Sequence, residues 1–194
     1  TANYNVAIGA DALTANTTGQ QQVAVGAFAL DAATTGDLNT AVGYQAMSSS
    51  TTAHSSVAVG NSALFSTTTG ENNVAVGVNA LLSNTTAVAN TAIGRDSLKL
   101  NTTGANNVAL GAFALDANTT GEKNTGLGYG ALTANTTGIR NTAVGMNCLQ
   151  NNTTASENTA VGTAALDANT TGNNNTACGK SALQANTTGY NNAS

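Results

Sequence analysis

Few side chains in this 194-residue chain are suited to reaction chemistry. His54 is the only histidine, and Cys148 and Cys178 are the only cysteines. Zinc ligands come in clusters of four at short spacing, and no such spacing is present. His54 faces no repeated Ser or Cys and has no second His to share a metal, so it reads as a solvated bend residue. Cys148 replaces an Ala and Cys178 a Val of repeated apolar positions, and both read as small buried hydrophobes, not as a disulfide or ligand pair. Asp31, Asp116 and Asp167 share one repeated position and are the best candidates for paired-carboxylate work. The aromatics form two pairs, Phe28 with Tyr44 and Phe113 with Tyr129, on adjacent variable positions. Together they would make two exposed patches of the flat kind on which sugars stack.

Composition narrows the classes further. Only 7% of residues are charged and the net charge is −4, with five Lys and Arg in all. A phosphate-binding surface for DNA or RNA is excluded on that count. No apolar run approaches the roughly 20 residues of a membrane helix, so this segment does not insert directly into a membrane. Solubility falls to amides and hydroxyls. No Gly-rich phrase opens a helix, so no phosphate loop is implied. The G-G-x-G-x-D phrase of calcium-binding β-rolls is missing.

The residues that position these groups follow one period. Gly9, Gly26, Gly43, Gly60, Gly77, Gly94, Gly111, Gly128, Gly145, Gly162 and Gly179 recur every 17 residues with no insertion. The unit, starting near Asn5, is Asn–(Thr/Val)–Ala–(Val/Ile/Leu)–Gly–x–x–Ala–Leu–x–x–Asn–Thr–Thr–Gly–x–x, and Thr–Thr is present in all eleven copies. The segment Ala27–Met47 matches Ala112–Leu132 five units later, so the chain looks built by duplication in blocks. Such growth is tolerated when each unit touches only its neighbours. Residues 1–194 therefore form a single repeat domain, and the pattern running through both ends suggests an excerpt of a longer fibre.

Apolar residues do not recur at helical spacing, and β-branched residues, Asn and Gly fill the unit. Asn–Thr–Ala–Val–Gly alternates like a short strand, and Asn–Thr–Thr–Gly supplies a second extended piece with a turn. We therefore expect an all-β fold, a parallel β-solenoid (β-roll) of eleven 17-residue turns, each with two short strands and two bends. The strict period follows, since one extra residue would turn every later side chain to the wrong face. Stacking at about 4.8 Å makes a rod of about 50 Å. The core ladder is Leu13, Leu30, Met47, Leu64, Leu81, Leu98, Leu115, Leu132, Leu149, Leu166 and Leu183, joined by the column of Ile8, Val25, Val42 and Val59. The Gly column marks tight approach of backbones. Asn141, Asn158 and Asn175 would hydrogen-bond along the stack. The Ala columns would leave a smooth apolar outer face, best covered by self-association into a homotrimer.

Three inferences about chemistry follow from the stacking. The Asp column spaces its members by roughly 24 and 14 Å, whereas paired-carboxylate glycosidases need less than about 10 Å. Catalysis is not expected. The sequons at Asn16, Asn84, Asn101, Asn118 and Asn135 read as turn chemistry. Thr ladders on a flat solenoid raise an alternative, ice binding. That surface usually presents two outward Thr per strand, and adjacent Thr–Thr allows only one.

Ser56–Gly60 and Asn73–Gly77 resemble the S-V-A-I-G-x-x-A phrase of YadA-like heads in trimeric autotransporter adhesins. The longer string in Asn39–Met47, continued as in Asn84–Ala87 or Asn135–Gly138, also resembles the repeat shafts of bacteriophage tail-fibre proteins. The period of the autotransporter heads is shorter. The resemblance implies a left-handed β-roll, a trimer, and an extracellular place on a cell or virion surface; from the residues themselves no cofactor is expected. It also implies attachment to host surfaces, through matrix protein or glycan.

Overall fold

Each turn begins where an Ala sits between β-branched or other aliphatic residues, and there the chain extends. In the computed structural model, which describes residues 2–194, eleven three-residue strands result. They are β1 (Val6–Ile8), β2 (Val23–Val25), β3 (Thr40–Val42), β4 (Val57–Val59), β5 (Val74–Val76), β6 (Thr91–Ile93), β7 (Val108–Leu110), β8 (Thr125–Leu127), β9 (Thr142–Val144), β10 (Thr159–Val161) and β11 (Thr176–Cys178). All pair in sequence order in one parallel sheet. The register is one whole period, Val6 to Val23 and Thr159 to Thr176. The chain is a β-solenoid, and no helix occurs among the described residues.

Two expectations are corrected here. First, each turn holds one strand, not two. The Asn–Thr–Thr–Gly segment stacks on its neighbours without becoming a strand, because both Thr17 and Thr18 donate their N–H to the single carbonyl of Thr34. Its backbone is bent, not extended. Second, the Val column is not in the core. Successive strand residues point to opposite faces, and the central Ala takes the inside: Ala24, Ala58, Ala75 and Ala143 are fully buried, whereas Ile8, Val59, Ile93 and Leu110 are exposed. The smooth outer face is thus built from the flanking Val, Thr, Ile and Leu, and the Ala columns lie inside.

The core is three columns: the strand Ala, the Leu ladder, and the Ala that precedes each Leu, such as Ala29, Ala63 and Ala131. The Ala methyls of the strands meet the Leu ladder, which is fully buried from Leu30 through Leu166 and opens only at Leu13 and Leu183 in the terminal turns. Gly126 shows how close the fit is, since a Cβ placed there would lie 3.3 Å from Ala131 O and 3.5 Å from Leu115 Cγ. A β-branched side chain would not fit. Burying each Leu contributes about 1.5–3 kcal/mol.

The backbone that carries this ladder is unusual. Every residue of the Leu column is left-handed, from Leu183 at φ 48° to Leu13 and Leu132 at 56°. Two more positions per turn share this conformation, among them Phe28, Asp96 and Phe113 in one and Leu38, Lys123 and Arg140 in the other. Each costs a non-glycine residue roughly 1–2 kcal/mol. The ladder explains why the strain persists. Reversing the backbone lets Phe28 donate to Ala10 on the turn before (2.9 Å), and Leu30 donate to Ala46 on the turn after (3.1 Å). Each turn is thereby bonded both ways.

The glycine that ends each strand answers a different demand. Its φ lies at 130–140° throughout. A Cβ on Gly9 would come within 2.6 Å of the backbone carbon of Gly26, and the same contact recurs along the column from Gly9 to Gly162. The tight approach expected of these glycines is present.

Asparagine closes the remaining gaps. Asn141 accepts at Oδ1 from the N–H of Asn158 (3.1 Å) while its own Nδ2 donates to Ala155 O (2.8 Å). A second buried column runs through Asn101, Asn118 and Asn135, where each Nδ2 donates to the Oδ1 of the turn before. Buried amides so fully paired carry no desolvation penalty.

Candidate functional site

The strands present their flanking residues outward as a strip about 50 Å long and 7 Å wide. Every residue in it is Val, Ile, Leu, Thr or Cys, and none is charged. Val6, Ile8, Val59, Ile93, Val108, Leu110 and Val161 are exposed. Exposed apolar side chains aligned in this way are a surface on which another apolar face can pack. Cys178 belongs to this strip and is exposed, so its reading as a buried hydrophobe is corrected. Cys148 is buried, with its Sγ 3.2 Å from Ala160 O as donor, and burial pushes its thiol up to about 11.

Past the glycine bend lies a dense group of charged and aromatic side chains. Phe113 and Tyr129 meet edge to face with centroids 5.7 Å apart, and the earlier pair Phe28 and Tyr44 does the same at 6.0 Å. The sequence-derived pairs are therefore real neighbours. Around the second pair the structure adds residues that sequence reasoning missed. Arg95 lies over the Phe113 ring, 5.7 Å from its centroid. Its Nε donates to Asp96 Oδ2 (3.0 Å), and Asp96 Oδ1 accepts from Asn79 (3.0 Å) and sits 3.5 Å from Lys99 Nζ. The signal was available: Arg95 precedes Phe113 by one residue more than a period, and Tyr129 follows by one less.

Electrostatics separate the two acids here. Burial acts to raise the Asp96 carboxyl, but the Asn79 hydrogen bond, Lys99 and Arg95 outweigh it and hold the carboxyl below its ordinary value. At Asp116 burial dominates, partly opposed by Lys99 and reinforced by Asp96, and the carboxyl is raised. Asp31, Asp116 and Asp167 remain on separate turns, and each has a buried Oδ1 with no hydrogen-bond partner.

The other candidates are absorbed by the ladders. His54 is half-buried, and its Nδ1 accepts the N–H of Asp37 from the preceding turn (3.0 Å). Among the sequons, Asn84, Asn101, Asn118 and Asn135 are fully buried with Nδ2 engaged, as turn chemistry requires, and Asn16 bonds Gly19 both ways. From Thr17 to Thr170 the first hydroxyl of each Thr–Thr pair donates to the next turn, as Thr34 does to Thr51 O (3.0 Å). Between the terminal turns only the second, such as Thr35 or Thr52, is exposed. No three or more His, Cys, Asp or Glu among the described residues are grouped to hold a metal. Comparison with family models, with curated proteins and with solved structures finds no match to the chain.

Proposed function

We propose that this chain is a rigid structural and adhesive segment of an extracellular attachment fibre, assembled as a homotrimer and carried on a virion or bacterial surface. The observation that carries the reading is the uncharged strip of Val, Ile, Leu and Thr along all eleven strands. A strip on one side of a straight rod is covered along its whole length when copies pack side by side around a parallel axis. Close packing of β-branched side chains from neighbouring copies would bury it. The resemblance to autotransporter heads and tail-fibre shafts supports three copies and an attachment role. Sedimentation equilibrium tests the assembly: the expected mass is three times the 19.0 kDa of one chain. A stable monomer would refute the reading.

Ice binding is the second reading, and it draws on the single exposed column that includes Thr35, Thr52 and Thr69. A thermal-hysteresis assay on the purified chain separates the two, because the fibre reading expects no hysteresis.

A further inference from the structure

We propose that Arg95, Lys99, Phe113, Asp116 and Tyr129 form a surface site for a neutral polysaccharide, and that the similar aromatic pair Phe28–Tyr44 does not. The assignment deepens the attachment reading and rests on it for its biological sense.

The argument starts from what is left unsatisfied. Asp96 is saturated by Arg95, Lys99 and Asn79. Arg95 uses only Nε in that contact, its side chain is 70% exposed, and its Nη groups have no hydrogen-bond partner among the described residues. Stacking over Phe113 and the bond to Asp96 fix the guanidinium in place, so its free donors are held ready. Asp116 supplies the complementary group, a half-buried carboxyl: its Oδ1 is shut off from solvent without a donor, and its Oδ2, which no protein donor engages, is the oxygen open to a ligand hydroxyl. Tyr129 is 56% exposed and stands edge to face against Phe113. One apolar ring face, fixed donors and a free acceptor within adjacent turns match the alternating C–H faces and hydroxyls of a pyranose.

Charge decides the ligand class. Two cations face two carboxylates, so the patch carries no net attraction for an anionic glycan, and Asp116 would repel one. Shape decides between a chain and a single sugar. No cavity occurs among the described residues, and a flat surface gains enough contact only from several linked units.

The repeat supplies its own control. Five turns earlier the corresponding residues are Ala10, Asp11, Thr14, Phe28, Asp31 and Tyr44. The aromatic pair and the orphaned Asp31 Oδ1 are retained there, but both cations are missing. The orphaned acid alone therefore does not define the site; Arg95 and Lys99 do.

Affinity electrophoresis against dextran, yeast mannan, β-1,4-galactan and polygalacturonate tests the proposal. Retardation by at least one of the neutral polymers is expected, with none by polygalacturonate. Arg95→Met and Tyr129→Ala should each weaken that binding about tenfold, a loss of about 1.4 kcal/mol, whereas Tyr44→Ala should leave it within twofold. Arg95 is exposed enough for its replacement to leave the fold intact, and far-UV circular dichroism checks all three variants. Absence of retardation by every neutral polymer, preference for polygalacturonate, or equal loss in Tyr44→Ala would overturn the site. Sedimentation of the same samples reads assembly independently, so failure of the site and failure of the fibre reading are distinguishable.

Discussion

Ala58 and Val59 are consecutive in one strand, yet Ala58 is fully buried and Val59 is 36% exposed. The two positions therefore respond oppositely to substitution. Ala58→Leu forces extra methylenes against the Leu ladder and should destabilise the fold by about 1–3 kcal/mol, seen as a lowered Tm. Val59→Asp with Val76→Asp should abolish self-association while the coil keeps its β-sheet circular dichroism, with Tm falling only to that of the unassembled chain. Sedimentation and circular dichroism on both variants check the pair of outcomes.

Gln22 is the one long amide in the Asn column. It is fully buried, and neither its Oε1 nor its Nε2 has a hydrogen-bond partner. The neighbouring turns show what an Asn does there: Asn39 accepts from the Ser56 N–H (3.0 Å) and donates to Ala53 O (2.7 Å). Gln22→Asn should restore both bonds and stabilise the protein by about 1–3 kcal/mol. Thermal or denaturant unfolding reads the gain, and an unchanged midpoint would contradict the account.

Asp96 and Asp116 give opposite pH signatures. Stability rises with pH wherever the unfolded chain binds more protons than the folded one. The folded carboxyl of Asp96 is held below its ordinary 3.8, so its contribution is present above 3.8 and is lost as pH falls towards its lowered value. The folded carboxyl of Asp116 is raised, so the protein loses stability as pH climbs from 3.8 through that raised value. Asp116→Asn should therefore stabilise at neutral pH, with the gain vanishing in acid. Asp96→Asn should destabilise at neutral pH, with the loss shrinking only in stronger acid. Unfolding midpoints measured across pH test both.

The two cysteines should differ sharply towards an aromatic disulfide reagent. Only the thiolate attacks, and the Cys148 thiol is buried and raised to about 11. The native protein at neutral pH should release no more than one equivalent, from Cys178, and denaturant should expose the second. Covering the strip in an assembly should also slow Cys178, so its rate should increase on dilution below the dissociation constant of the assembly.

The period, the parallel stacking and the Leu ladder were legible in the sequence because each depends on one residue type recurring at one position. Which face of the strand turns inward was not. Val59 is the more apolar residue and Ala58 the smaller, and hydrophobicity alone favours burying Val. The decision belongs to the space left by the Leu column opposite, as the 3.5 Å fit at Gly126 shows. The second strand misled for a related reason. Thr–Thr is a strand-forming pair by propensity, but its two N–H groups converge on one carbonyl of the next turn. The cluster at Arg95 escaped because its members are spread over positions six, seven and ten of the unit, so no single column contains them.

The backbone ladders run along the axis of the rod, and the covalent chain winds around it. A single molecule stretched between its ends would therefore yield circuit by circuit, since each is fastened only to the next. Every release would free 17 residues, about 58 Å of extended chain, in place of about 5 Å of stacked height. Optical-trap traces should show a staircase of near-equal increments of about 50 Å at full extension, and the tread height would measure one coil directly.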